Sequence, residues 1–375
     1  MSLLVGTGAA GTSPTPDAAI PGKTGILTEC LDLGEQRQVK CYIRGLLALV
    51  ERSSDPAREL PRIDRSVHET GGFLEAACHS LMHFVGRAWA RRHHLTLERL
   101  YRYVPRSNDP GCSSGFGMGM AMYLGPTLVL KPRSVLRTCD RLPTRFRRYT
   151  CVHGAGHAFM RGFHSQLQDA LRACKTLGAP NAPDCSQGAF HDYWIALGGG
   201  DGTRRLPNMA TSPRVVCSGV EYVRPCWFRF FWERMPEVRV ADGSAIEQLC
   251  AGLEGIQRGG CVAAASLSMS RAHEPVEHAR ACATLRPADA ANCIRGVVVP
   301  SVAHRPFEQR RLVNTCHLFP REAMWACFSW FGRTLAIVTD GRFTREGCGS
   351  LEPEHAKISC TAGAKRVRYA LRTFS

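Results

Sequence analysis

The sequence predicts an all-α fold, a helix–turn–helix repeat array (an α-solenoid) with one disulfide per repeat. Three observations carry that reading: cysteines that fall into regular couples, a recurrence near 34 residues, and a glycine at a fixed place in the repeating unit. Two-helix repeats have that period, and stacking such units buries a continuous core that no unit could bury alone.

Read in order, the eighteen cysteines form nine couples. They are Cys30 with Cys41, Cys78 with Cys112, Cys139 with Cys151, Cys174 with Cys185, and Cys217 with Cys226. The remaining four are Cys250 with Cys261, Cys282 with Cys293, Cys316 with Cys327, and Cys348 with Cys360. Five couples are spaced by 11 and two by 12. From Cys151 onward the second member recurs after 34, 41, 35, 32, 34 and 33 residues. No C-x2-C pair of the kind that binds structural zinc is present, and no C-x-x-C-H haem attachment. Disulfides are the better reading, which points to an oxidising compartment, periplasmic or extracellular.

Within a unit the order is an apolar segment ending on the first cysteine, a short polar link, then the second cysteine opening another apolar run. Ala170 to Cys174 followed by Asp184-Cys185 is one instance, and Cys282 followed by Asn292-Cys293 another. The disulfide would clamp the turn between two helices. Glycine stands three residues after the second cysteine at Gly115, Gly154, Gly188, Gly296 and Gly363. Inside a helix it costs ~1 kcal/mol against alanine, so its recurrence predicts close helix–helix approach there.

Along the chain, 1–24 reads as a disordered or targeting remnant and 25–197 as N-terminal repeats. A flexible, glycine-rich loop spans 198–213, and 214–375 carries the C-terminal repeats. The unit of Cys78 and Cys112 holds a long insert. Met1–Gly22 has only Leu3-Leu4-Val5 as an apolar run, with no basic residue before it, so no signal peptide is evident. Export would then need a trimmed leader, a misassigned start or another route.

The net charge is +16, mostly arginine, clustered at Arg87–Arg106, Lys131–Arg148 and Lys365–Arg372. It fits attraction to an acidic polymer or protein partner, or simply a solvated basic surface. Nucleic acid is not favoured, because no recognised nucleic-acid motif accompanies the charge. No stretch approaches the ~18–20 apolar residues of a membrane-spanning helix.

Two histidine pairs stand out: His79 and His83 after Cys78, and His153 and His157 after Cys151. At i and i+4 on a helix, both rings of a pair share one face and can chelate one ion. Stacked units would bring His79, His83, His153 and His157 together around zinc, copper or haem. Met118, His164 (eleven residues after His153) and Glu75 (one turn before His79) are further candidate ligands. The competing reading is four hydrogen-bonded structural histidines. His273 and His278, five apart, share no helix face and read as surface. Trp227 to Trp232 reads as a core helix face.

The period and helix–turn–helix form resemble tetratricopeptide and Sel1-like repeats in architecture, without their W-x2-L-G-x2-Y consensus. The CHxxxH motif at Cys78–His83 and the CxHGxGH motif at Cys151–His157 resemble those of uncharacterised bacterial exported cysteine-rich helical-repeat proteins, over about Gly71 to the C-terminus. The resemblance implies a histidine near the G-x-x-x-G of the second unit, where this chain has Met118. As a ligand, methionine would favour a soft metal or haem over zinc. No activity follows from the resemblance.

Whether the chain is an enzyme stays open at this level. The pairs lack the glutamate of H-E-x-x-H, for which Glu75 or Asp192 could substitute though no spacing points to either, and no G-x-S-x-G elbow or Walker loop is present. Three functions are therefore carried forward. The first is a bis-HxxxH metal or haem protein with redox or hydrolytic chemistry. The second is a non-catalytic solenoid binding a protein or anionic polymer on a basic face. The third is a zinc-stabilised scaffold.

Overall fold

The computed structural model describes residues 25–104, 111–179, 181–198, 212–234, 242–269, 274–304, 309–339, 341 and 344–372. Among these every regular element is a helix. The segment 1–24 and nearly all of the loop at 198–213 lie outside them. So does His273.

Two helices show how the sequence sets the elements. Helix α1 spans Glu35–Glu51 and α2 spans Pro56–Thr70. Asp55 caps α2 by accepting a hydrogen bond from the Ala57 amide at 3.1 Å, and Pro56 occupies the first turn, where its missing N–H costs nothing. Pro56, Ala57, Leu60, Ile63 and Val67 form its buried stripe at helical spacing. Gly71, at φ +64°, ends the helix in a conformation that glycine adopts without penalty.

The long helices that follow carry the architecture. They are α3 (Gly72–Arg92), α4 (Cys112–Tyr123), α5 (Arg145–Gly162), α7 (Ala182–Gly198) and α8 (Val223–Arg234). The row continues through α9 (Gly255–Met269), α10 (Pro287–His304), α11 (Arg321–Val338) and α12 (Glu354–Arg372). Each packs on the next, from α1 against α3 through to α11 against α12. Shorter helices, among them α6 (Leu167–Lys175), connect them. The row curls far enough for α11 to touch α5.

All nine couples close as disulfides and no cysteine is free. Cys30 joins Cys41, Cys139 joins Cys151, Cys217 joins Cys226, Cys250 joins Cys261 and Cys316 joins Cys327, with Cα atoms 5.5–5.9 Å apart. That separation is the ordinary one for a disulfide. Most of the bonds join the end of a short helix to the first or second turn of the next long one, as Cys174 at the end of α6 joins Cys185 near the start of α7. Clamping an 11-residue loop contributes ~2–3 kcal/mol through the unfolded chain.

The second cysteines sit deeper than the expected opening of a helix. Cys41, Cys261 and Cys327 lie in the second turn of α1, α9 and α11, while Cys226 lies in the first turn of α8. The polar link before each of them supplies that first turn, which the sequence pattern had left outside the helix. Cys226, Cys261 and Cys327 are buried by this placement, and Cys41, near the end of the row, is only partly so. Cys78 with Cys112 differs again: it ties two long helices, α3 and α4, across the insert.

The recurrent glycines do what their spacing predicts. A Cβ on Gly115 would overlap the carbonyl oxygen of His79, one on Gly188 that of His153, and one on Gly363 that of Ser329. At Gly296 it would strike Ser266. Gly154 is looser, with Ala121 Cβ at 3.2 Å and Met118 Cα at 3.3 Å. Helix α4 is buried at every position from Cys112 to Met122. Its small residues let α3 and α5 close in from either side.

No helix among the described residues is long and apolar enough to cross a membrane. His278 is buried, not at the surface, with its Nε2 2.9 Å from Ser266 Oγ. The Pro275–Ala283 helix turns it inward beside Cys282.

Candidate metal centre

Five imidazoles converge where α3, α5 and α7 face one another across α4. Helix α3 supplies His79 and His83, α5 supplies His153 and His157, and α7 supplies His191. The glycine contacts explain the approach. Gly115 and Gly119 of α4 lie against the carbonyls of His79 and His83, and Gly188 of α7 lies against that of His153. The backbone touches where the rings must meet.

The tightest arrangement is a triangle of ring centroids: His83–His157 at 4.9 Å, His157–His191 at 4.8 Å and His83–His191 at 5.6 Å. His79 and His153 extend it by one turn, 4.8 Å from His83 and 5.2 Å from His157. One ligand atom from each of His153, His157 and His191 can be chosen so that all lie within 4.8 Å of one another. His79 Nε2 and His83 Nε2 stand 3.2 Å apart. Two nitrogens bound at about 2.0–2.1 Å to a tetrahedral ion would stand about 3.3 Å apart. The pair has ligand spacing.

Three of the rings have one nitrogen turned toward an oxygen. His79 Nδ1 is 3.2 Å from the Gly111 carbonyl and 3.1 Å from Ser114 Oγ, at the first turn of α4. His191 Nε2 is 3.0 Å from Glu233 Oε1 on α8. His157 Nδ1 is 3.5 Å from Asp192 Oδ1, at the outer limit of hydrogen bonding. Metal-binding histidines are commonly oriented this way, one nitrogen donating to a carbonyl or carboxylate while the other faces the ion. His191 Nδ1 and both nitrogens of His153 have no hydrogen-bond partner of good geometry among the described residues. A buried polar atom left so costs about 1–3 kcal/mol.

Burial fixes the protonation state. It pushes His83, His153 and His191 well below the ordinary imidazole value, helped by the neighbouring histidines and by Arg229. The Asp184 backbone beside His153 works the other way and is outweighed. His157 is lowered as well, also chiefly by burial, with Asp192 pulling it part of the way back. These four rings are therefore neutral at neutral pH, the form in which imidazole binds metal.

A cleft of about 200 Å³ reaches the cluster beside His83. Ser80, Phe84, Arg87, Met122, Arg161, Asp192, Ile195 and Glu233 complete its lining. Arg161 pairs with Asp192 at 3.1 Å.

The four histidines of the two HxxxH pairs thus come together, and His191 joins them. The paired spacing does not reveal His191, which has no partner at i±4. The repeat register does: His157 and His191 each stand six residues after the second cysteine of their couple, as does Met118. Met118 itself packs at the α4–α5 contact against Gly154. His164 does not share the face of His153, because α5 ends at Gly162 and His164 is exposed in the following turn at φ +52°. Glu75 is exposed and pairs with His68 at 2.7 Å.

A second grouping, His278 with Cys282 and Cys293, has its two sulfurs joined in a disulfide, which removes the thiolates a metal would need. A search of protein families, curated proteins and solved structures finds nothing similar to the chain, so the centre is read from its own geometry.

Proposed function

We propose that the protein is an exported metal-binding helical-repeat protein whose centre is formed by His79, His83, His153, His157 and His191. The observation that carries this reading is the ring cluster itself, with His79 and His83 nitrogens 3.2 Å apart and both His153 nitrogens buried without a hydrogen-bond partner of good geometry among the described residues. A nitrogen-only donor set suits zinc or copper. Ring-to-ring packing at 4.8–5.2 Å favours a bare ion, since a haem would have to force the helices apart. Nine disulfides support an oxidising compartment.

The adjoining cleft separates this reading from a purely structural zinc. A structural site is closed by four protein ligands, whereas a reactive one keeps a position open. The triangle of His83, His157 and His191 borders the cleft through His83. An ion held by these rings with a position free toward the cleft would supply redox or hydrolytic chemistry there. Metal content of the oxidised protein, beside His153→Ala/His157→Ala, tests the proposal. One equivalent or more of metal in the parent, lost in the variant, is the expected result. A metal-free parent of full stability contradicts it.

One observation favours the second reading, a solenoid that binds an anionic polymer. Arg295 lies 4.6 Å over the Phe228 ring and 5.6 Å from the Trp330 ring, and Arg333 lies 5.0 Å from that same Trp330 ring. Neither arginine has a carboxylate within ion-pair distance among the described residues. Salt-sensitive binding to heparin, weakened in Arg295→Ala/Arg333→Ala and unchanged in the histidine variant, would support it.

A further inference from the structure

The two helices that carry the histidine pairs share a longer pattern than the pairs themselves. On α3 the sequence runs His79, His83, Arg87 at i, i+4 and i+8, and on α5 it runs His153, His157, Arg161 at the same spacing. Each helix therefore lays two imidazoles and a guanidinium along one face, one turn apart. Helix α7 adds His191 and, one turn on, Ile195. The third positions of all three rows, Arg87, Arg161 and Ile195, line the cleft directly beyond the layer of His83, His157 and His191.

The two arginines are not equivalent. Arg161 donates through Nε and Nη2 to Asp192 Oδ1, at 3.3 and 3.1 Å. Arg87 has no carboxylate within ion-pair distance among the described residues, and lies 5.8 Å from the Phe84 ring centroid. It is half-buried, and its charge is disfavoured by that burial and by Arg161 beside it, with Asp192 offsetting part of this. Here a guanidinium with a planar fork of donors faces a small cleft whose apolar walls are Phe84, Met122 and Ile195. Of the two acids in the lining, Asp192 pairs with Arg161, and Glu233 lies 3.8 Å from Arg229 and 3.0 Å from His191. Arg87 is thus the guanidinium of the lining with no carboxylate in direct contact among the described residues, and it faces apolar sides.

From the doubled His-x3-His-x3-Arg pattern and this cleft, we propose that the protein binds a small aliphatic carboxylate there, its head group held by Arg87 and turned toward the ion, its tail against Phe84, Met122 and Ile195. The proposal rests on the metal centre described above, because an ion held by the histidines would draw the carboxylate toward it. Arg–carboxylate recognition is bidentate and strong when partly desolvated. A volume of about 200 Å³ admits a short-chain acid and excludes a polymer segment.

The test uses oxidised full-length protein loaded with cobalt(II), whose visible bands report changes in coordination. Metal is counted first, then butyrate, acetate and inorganic phosphate are titrated separately. The expected result is a saturable spectral change with butyrate, tighter than with acetate or phosphate. Arg87→Gln keeps the same metal stoichiometry and melting temperature but weakens butyrate at least about tenfold, equivalent to ~1.4 kcal/mol. Ile195→Phe, which fills the cleft without touching the charge, weakens butyrate more than acetate. Full cobalt loading with no response to any of the three anions overturns the carboxylate site and leaves the metal centre standing. A phosphate response as tight as butyrate overturns the aliphatic-carboxylate assignment. Failure to load cobalt overturns the centre, and the carboxylate site with it.

Discussion

His157 and His191 stand on neighbouring helices with ring centroids 4.8 Å apart, and each occupies the sixth position after the second cysteine of its disulfide couple. The repeat thus delivers the same position twice to one point. Disulfide register, glycine contact and ring placement are three aspects of one repeating geometry, and each yields a prediction.

The glycine contacts set the distance between the ring-bearing helices. A methyl at position 188 would collide with the His153 carbonyl, a backbone atom that cannot swing aside. Gly188→Ala is expected to destabilise the fold by about 1–3 kcal/mol and to abolish metal binding. Gly219→Ala, whose nearest atom would be the Val215 carbonyl oxygen at 3.7 Å, should change stability by no more than about 0.5 kcal/mol. Urea midpoints for both variants check this.

Disulfides near the centre should differ in consequence from those far along the row. Removing Cys174–Cys185 and removing Cys348–Cys360, each by paired serine substitution, should cost similar stability, ~2–3 kcal/mol. Only the first loosens α7, which carries His191. Metal affinity is expected to fall in the first variant and to hold in the second. Equal losses would mean that the clamps do not position the rings.

Glu233 Oε1 lies 3.0 Å from His191 Nε2 and would hold that nitrogen while the other binds an ion. Glu233→Gln keeps the side-chain shape but weakens that hold, so metal affinity should drop about 10- to 100-fold. Competition with a chromophoric chelator measures it. An unchanged affinity would show that His191 is not oriented from behind by α8.

Acid should weaken the metal-free protein. His83, His153 and His191 have folded-state values well below the ordinary 6.5, mainly through burial. As pH falls below about 6.5 the unfolded chain takes up protons that the folded chain refuses, so stability drops with falling pH. Asp184, pushed up to about 6 by burial, works in the opposite direction, since the folded state protonates it first. Three strongly lowered histidines, with His157 also lowered, outweigh one raised carboxyl. The urea midpoint of metal-free protein is therefore expected to be lower at pH 5 than at pH 7.5. Bound metal should shift the loss to lower pH by holding the rings unprotonated.

The array was legible because cysteine spacing and the glycine three residues on are local, periodic signals. Pairing followed from them in all nine couples, from Cys30 with Cys41 to Cys348 with Cys360. Helix starts were less legible: the polar residues before Cys261 and Cys327 read as link, yet they form the first turns of α9 and α11. The site was half legible. Pairs at i, i+4 announce themselves, so His79, His83, His153 and His157 stood out, whereas His191 is a single histidine whose meaning depends on register across units. His164 misled for a local reason: an eleven-residue return to one face requires the helix to continue, and α5 stops at Gly162. Glu75 sits one turn before His79 yet turns to His68. No sequence period reveals the cleft, since Arg87, Arg161 and Ile195 meet only when three helices have packed.

The central claim is that buried imidazoles of α3, α5 and α7 hold a bare ion. X-ray absorption at the edge of whatever metal the oxidised, full-length protein retains tests it most directly. The account predicts an inner sphere of nitrogen at about 2.0–2.1 Å, with the ring pattern of several imidazoles behind it. Sulfur at about 2.3 Å, or protein that takes up no metal at all, would contradict it.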